Sequence, residues 1–190
     1  MKRTTLVEYD TAPPEVQAIY DEFMETTGAQ KPLNVLMALG NNEKALRAVW
    51  SLLNSILLQG DIPALLKNLI LFRISIKAGN EYCTSLHAHA ACSLEPSLSY
   101  EDLVALSEGE ATGKLPESFQ VALNVVSRAA LQSKSVVDED FDFEEQLRDA
   151  GFAESEIDEL LALGFMGVSL NVLTDNYDIP REEFAPPENA

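Results

Sequence analysis

Apolar residues recur at helical spacing along nearly the whole chain. Val16, Ile19, Tyr20 and Phe23 fall at i, i+3, i+4 and i+7, which is one face of a helix. Thr11, just ahead of Pro13 and Pro14, reads as its N-cap, and Gly28 as its stop. An apolar patch over 33–39 closes at Gly40-Asn41-Asn42, which can cap the next helix. There Leu46, Val49, Trp50, Leu53, Ile56 and Leu57 make a second stripe that runs to Gly60. Pro63 opens a third helix, apolar on nearly every side through Ala78, which predicts a central, buried position. Gly79-Asn80 breaks it, and 81–93 reads as a fourth helix, ended before Pro96. Ser99 and Asp102 fit a capping box for a short helix carrying Leu103, Val104 and Leu106. Pro116 starts a long helix with Phe119, Leu123, Val126 and Ala130 in phase. Residues 133–140 read as a polar connector, and 143–150 and 154–174 as two more helices. No run of period-two alternation occurs. The pattern predicts an all-α fold in a single domain over 1–190, frayed from about residue 180.

Composition narrows the function classes. Of 190 residues 46% are hydrophobic, and 31 acidic against 13 basic residues give a net charge of -18. A chain this acidic offers no clustered basic surface for phosphates, so nucleic acid is not expected as a partner. Anionic membrane surfaces are disfavoured for the same reason. Two cysteines, Cys83 and Cys92, are too few for a disulfide scaffold and fit a reducing compartment. The first ten residues turn acidic without an apolar run, so no signal peptide is expected. The apolar stretch 65–76 contains Lys67, Asn68 and Arg73 and is too short and too polar to span a bilayer. The expectation is a soluble, cytoplasmic protein.

One segment holds candidate chemistry. Asn80-Glu-Tyr-Cys-Thr-Ser-Leu-His-Ala-His89 contains both histidines and one of the two cysteines. Asn80 is well suited to cap the helix, its side-chain oxygen accepting from the backbone N–H of Tyr82 or Cys83. Cys83 then sits in the first turn, where the helix dipole lowers a thiol pKa. His87, at i+4, shares its face and could accept the thiol proton. His89 and Tyr82 are secondary candidates. Inert core packing is the competing reading of Cys83. No second Cys/His cluster exists to complete a zinc shell, so neither a metal nor a cofactor is expected. Cys92 reads as packing.

The segment Gly-Asn-Glu-Tyr-Cys-Thr-Ser-Leu-His, with the helix 67–79 before it and Gly151-Phe-Ala-Glu-Ser-Glu-Ile-Asp-Glu and Asn171-Val-Leu-Thr-Asp-Asn after it, resembles the alkylhydroperoxidase D-like, or carboxymuconolactone decarboxylase, family. Within it, the chain resembles the uncharacterised peroxidase-related branch. The resemblance implies an all-α fold of about seven to nine helices and assembly as a homodimer, trimer or hexamer. It also implies, in redox-active members, a Cys-x-x-Cys-x-x-x-His motif and a proton-relaying Glu one helix earlier. Aligned on Cys83 and His87, the first Cys falls on Asn80 and the Glu on Asn68. Three readings stay open on that basis. Cys83 with His87 could reduce a hydroperoxide and be recycled by an external thiol; the chain could be a redox-inactive binding or assembly protein; or it could be a decarboxylase-like enzyme using His87 as acid or base.

Overall fold

The computed structural model describes residues 4–132 and 141–184. Among these there are nine α-helices and no strand. The order is α1 (Pro14–Thr27), α2 (Asn34–Leu39), α3 (Glu43–Leu52), α4 (Ala64–Ala78), α5 (Glu81–Leu94), α6 (Tyr100–Ser107), α7 (Glu117–Leu131), α8 (Phe143–Asp149) and α9 (Glu154–Tyr177). The connector expected over 133–140 lies outside the described residues.

Sequence punctuation explains most of the boundaries. Gly28 and Gly79 stop α1 and α4 in the left-handed conformation, which glycine adopts without a side-chain clash. Asn42 caps α3 by accepting from the Ala45 N–H, and Ser99 with Asp102 forms the reciprocal capping box of α6. Two details differ from expectation. Thr11 does not cap α1; it closes a short 3-10 turn, Tyr9–Thr11, and Pro13 occupies the cap position without a side-chain bond. The second apolar stripe is not one α-helix either. After Leu52 the chain widens into a π-helix, Leu53–Leu58, with the Gln59 N–H reaching the Asn54 carbonyl. The insertion lets Leu53 stay buried while Leu57 and Leu58 swing to a cavity.

Helix α4 is the central element, as its all-round apolarity predicts. Leu66, Leu69, Ile70, Leu71, Phe72 and Ile74 are each at most 2% exposed, and α5, α6, α7 and α9 all pack on it. Its approach to α9 is close: a Cβ on Gly167 would lie 2.8 Å from Leu71 Cδ2. The start of α4 is fixed by a charge. Buried Lys67 pairs with Glu159 of α9 at 2.5 Å and also donates to the Gln59 carbonyl. Glu159 in turn accepts from the Asp61 N–H at 2.8 Å, so no charge in this cluster is left unpaired. Helix α9 is long and apolar enough, by length and composition, to cross a membrane. Here Leu160, Leu163, Met166 and Leu170 are buried against α4 and α7 as part of the core.

Candidate functional site

The site forms where α5 lies between α4 and α9. Asn80 caps α5, its Oδ1 accepting from the Cys83 N–H at 2.7 Å. Its amide nitrogen faces α9, within hydrogen-bond distance of the Asn171 carbonyl, Thr174 Oγ1 and Asp175 Oδ1, the last at 2.6 Å. Asn171 is itself held by a bond from the Ser75 hydroxyl of α4. Asn80 therefore ties the start of α5 to α9 as well as capping it.

Cys83 is 4% exposed, and its Sγ lies 3.6 Å from Thr174 Oγ1. The Thr174 hydroxyl donates to the Leu170 carbonyl at 2.9 Å, which leaves its oxygen to accept from the thiol. A thiolate would gain a donor there only if the hydroxyl turned away from that carbonyl. The expected activation by the helix end is reversed. Burial pushes the Cys83 thiol up to about 11 and the Asp175 carboxylate adds to it; a bond from the Thr174 hydroxyl opposes the rise only when that hydroxyl is turned to the sulfur. The largest cause is desolvation, which penalises the charged thiolate in this buried position.

His87 faces the other way. Its Nδ1 lies 3.0 Å from Asn68 Oδ1 on α4, and Asn68 Nδ2 donates to the Ala64 carbonyl at 2.9 Å. Because the Asn68 amide is oriented by that second bond, its oxygen accepts and His87 carries its proton on Nδ1. Nε2 is then unprotonated and makes no hydrogen bond among the described residues. Burial lowers His87 to about 4, so the ring is neutral at physiological pH. Together, His87 and Asn68 line a cavity of about 610 Å³ whose other walls are largely apolar: Phe23 from α1, Trp50 from α3, Leu53 and Leu57 from the π-helix, and Leu86 from α5. Among the described residues the cavity lining contains no lysine, arginine or carboxylate, and Cys83 is not part of it.

The two secondary candidates have different surroundings. His89 is exposed and borders the cavity, its ring stacked on Phe184 with centroids 4.0 Å apart and planes 5° from parallel. Tyr82 is buried and donates its hydroxyl to Glu182 Oε1 at 2.6 Å. Burial, and then the Glu182 carboxylate, hold its phenol well above the ordinary range. The segment from Pro180 to Phe184, expected to fray, is thus packed against α5. Cys92 is half-buried against the core, and both cysteines are free. Among the described residues no group of three or more His, Cys, Asp or Glu side chains could hold a metal.

The helix therefore brings Cys83 and His87 onto one turn without joining them. His87 bonds Asn68, Cys83 bonds Thr174, and Asn80 fastens the thiol's end of the helix beside Thr174. Sequence reasoning missed Thr174 and Asp175 as neighbours of the thiol, although the Asn171-Val-Leu-Thr-Asp-Asn segment carried the signal. It had no means of finding the cavity walls from α1, α3 and the tail.

No protein-family model matches the sequence, and no curated protein matches it. Solved structures do. An uncharacterized peroxidase-related protein with an alkylhydroperoxidase AhpD core from Ralstonia eutropha JMP134 matches with a TM-score of 0.79 and 19% identity, over 95% of this chain and 92% of its own. An uncharacterized peroxidase-related protein from Silicibacter sp. TM1040 matches at 0.75 and 21% identity, over the same shares. The chain has the alkylhydroperoxidase D-like fold. A cysteine-to-alanine variant of the debrominase Bmp8, in complex with 2,3,4-tribromopyrrole, shares that fold at a TM-score of 0.71 and 22% identity, over 94% of this chain and 92% of its own. Neighbours with this fold thus include peroxidase-related proteins and a debrominase, so the alkylhydroperoxidase D-like fold by itself does not assign a reaction.

Proposed function

We propose that this chain is a redox-silent member of the alkylhydroperoxidase D-like family that binds a small, uncharged, mostly apolar molecule in the His87 cavity. The observation that carries the reading is the division of the motif: His87 presents an open Nε2 to an apolar cavity, while Cys83 is turned to Thr174. A neutral imidazole with a lowered pKa is a good hydrogen-bond acceptor and a weak base. The site suits a ligand with one N–H or O–H donor on a flat apolar body. An anionic ligand finds no cationic side chain in the lining. The bromopyrrole bound by the debrominase neighbour is a molecule of this shape. Thiol-dependent peroxide reduction is the weaker reading, because it needs a thiolate where the surroundings favour the thiol.

The single tryptophan, Trp50, borders the cavity and reports on it. Titration with 2,3,4-tribromopyrrole should quench its fluorescence saturably. His87→Leu should weaken the binding about fivefold, the worth of one hydrogen bond. Absence of saturable quenching, together with peroxide-dependent sulfenic acid at Cys83, would reverse the choice between the readings.

The same proposal includes self-association. On α9, Phe165 and Val172 are 67% and 59% exposed, and an apolar groove of about 290 Å³ runs beside Phe165 between α7 and α9. Light scattering should find a homo-oligomer that Phe165→Glu dissociates; a monodisperse wild-type monomer at micromolar concentration would refute this part.

A further inference from the structure

We infer that the C-terminal segment Arg181 to Phe184 is the movable wall of the His87 cavity, and that Phe184 is its gate. The inference concerns access to the site and rests on the cavity being where the ligand binds. Phe184 closes one side of the cavity by stacking on His89. Among the described residues, 181–184 make no backbone-to-backbone hydrogen bond. Side chains of two helices hold the segment instead. Glu182 Oε1 accepts from the Asn34 N–H of α2 and from the Tyr82 hydroxyl of α5, both at 2.6 Å. Asn34 Nδ2 donates to the Pro180 and Arg181 carbonyls at 3.0 and 3.3 Å, and Arg181 pairs with Glu81 at 2.5 Å.

A segment fastened in this way opens without unfolding a helix, since only side-chain bonds and one ring stack must break. The other cavity walls are parts of α1, α3, α4, α5 and the π-helix, with Ala29 and Leu33 of the α1–α2 loop, which also pack on the core, and moving them would disturb it. The route of least cost to Nε2 of His87 is therefore displacement of Phe184. Tyr82 gains a role from this: next to Cys83 in the motif, it anchors the gate through Glu182.

Diethyl pyrocarbonate acylates unprotonated imidazole nitrogens, and this chain has only two histidines. N-acetylhistidine added to the reaction serves as reference, because His89 itself stacks on Phe184, and acylation of His87 is followed by peptide mass spectrometry. Wild-type protein should modify His87 far more slowly than the reference. Both Glu182→Gln and Phe184→Ala should speed modification of His87 relative to the reference, the first by about tenfold for loss of hydrogen bonds to a charged group. Amide exchange of α4, measured in parallel, should stay unchanged. A His87 rate unaltered in both variants overturns the gate, as does a rise accompanied by equally faster exchange throughout α4. The assay needs no ligand, so a cavity that binds nothing and a wall that does not move give different results.

Discussion

Acid sensitivity follows from the burial of His87. The folded ring titrates near 4 against an ordinary 6.5, with burial as the cause. Between those values the unfolded chain binds a proton that the folded chain refuses, so stability falls as pH drops through 6.5 and the loss is complete near 4. Each pH unit of difference is worth 1.4 kcal/mol, so the full effect is about 3 kcal/mol, of which about 2 kcal/mol has been lost by about pH 5. His87 is only 4% exposed, so solvent screening removes little of it. The perturbation that isolates the term is His87→Gln, which does not titrate and can still donate to Asn68 Oδ1. Urea unfolding of both proteins at about pH 7 and about pH 5 gives a double difference in which the many acidic groups and His89 cancel. Wild type should lose about 2 kcal/mol more than His87→Gln. Equal losses in the two proteins would mean that His87 is not held neutral by burial, and the open Nε2 acceptor would go with it.

Other expectations can be checked separately. Asn80→Ala removes the cap and leaves buried polar partners on α9, and should cost about 2 kcal/mol in chemical denaturation; a loss below about 0.5 kcal/mol would contradict the contacts given to Asn80. Alkylation of Cys83 by iodoacetamide at about pH 8 should run roughly two orders of magnitude slower than in unfolded chain, and should accelerate with pH up to about 11; mass spectrometry of the labelled peptide reads the rate. Gly167→Ala drives a methyl group into Leu71 and should cost about 1–3 kcal/mol in thermal unfolding. Asn68→Glu supplies a carboxylate where the Asn68 amide now meets Nδ1, which stabilises an imidazolium, so the His87 resonance in an NMR titration should move up from about 4 by a unit or more. A titration left unmoved would show that the new carboxylate does not reach the ring.

Helix content and most helix ends were legible because they depend on local rules: apolar spacing, Gly at C-terminal stops, and Asn42, Asn80 and Ser99 at N-caps. The π-helix was not, because Leu53, Ile56 and Leu57 satisfy an α-helical stripe equally well, and only packing chooses the wider turn. Thr11 failed as a cap because the chain extends through Pro13 before turning helical. At the site, the capping role of Asn80 was legible, with its donor open between Tyr82 and Cys83, whereas the direction of the Cys83 shift was not. The helix dipole is a property of sequence position; desolvation depends on the packing that buries the thiol, and the Asp175 charge that adds to it is some ninety residues away in the chain. The hold on residues 180–184 was hidden for a related reason, while the rest of the tail expected to fray, 185–190, lies outside the described residues. The tail's composition is acidic and proline-rich, and nothing local reveals that Tyr82 and the Asn34 N–H converge on Glu182.

The parting of Cys83 and His87 is a consequence of helix geometry and of the partner each side chain meets. Four residues advance an α-helix by slightly more than one turn, so side chains at i and i+4 share a face yet diverge by about 40°. On α5 that divergence points one toward α9 and the other toward α4. Which way each is held depends on the partner it meets. Asn68 offers His87 a neutral oxygen, pinned by the Ala64 carbonyl, so the ring is oriented without becoming more basic. Asn80 accepts from the Cys83 N–H and fastens the helix start to α9, beside Thr174. Where the resemblance implies a carboxylate and a second thiol, each asparagine supplies hydrogen bonds but no charge and no sulfur. On that resemblance the start of α5 is still capped and oriented, but neither asparagine can take part in proton transfer or disulfide formation.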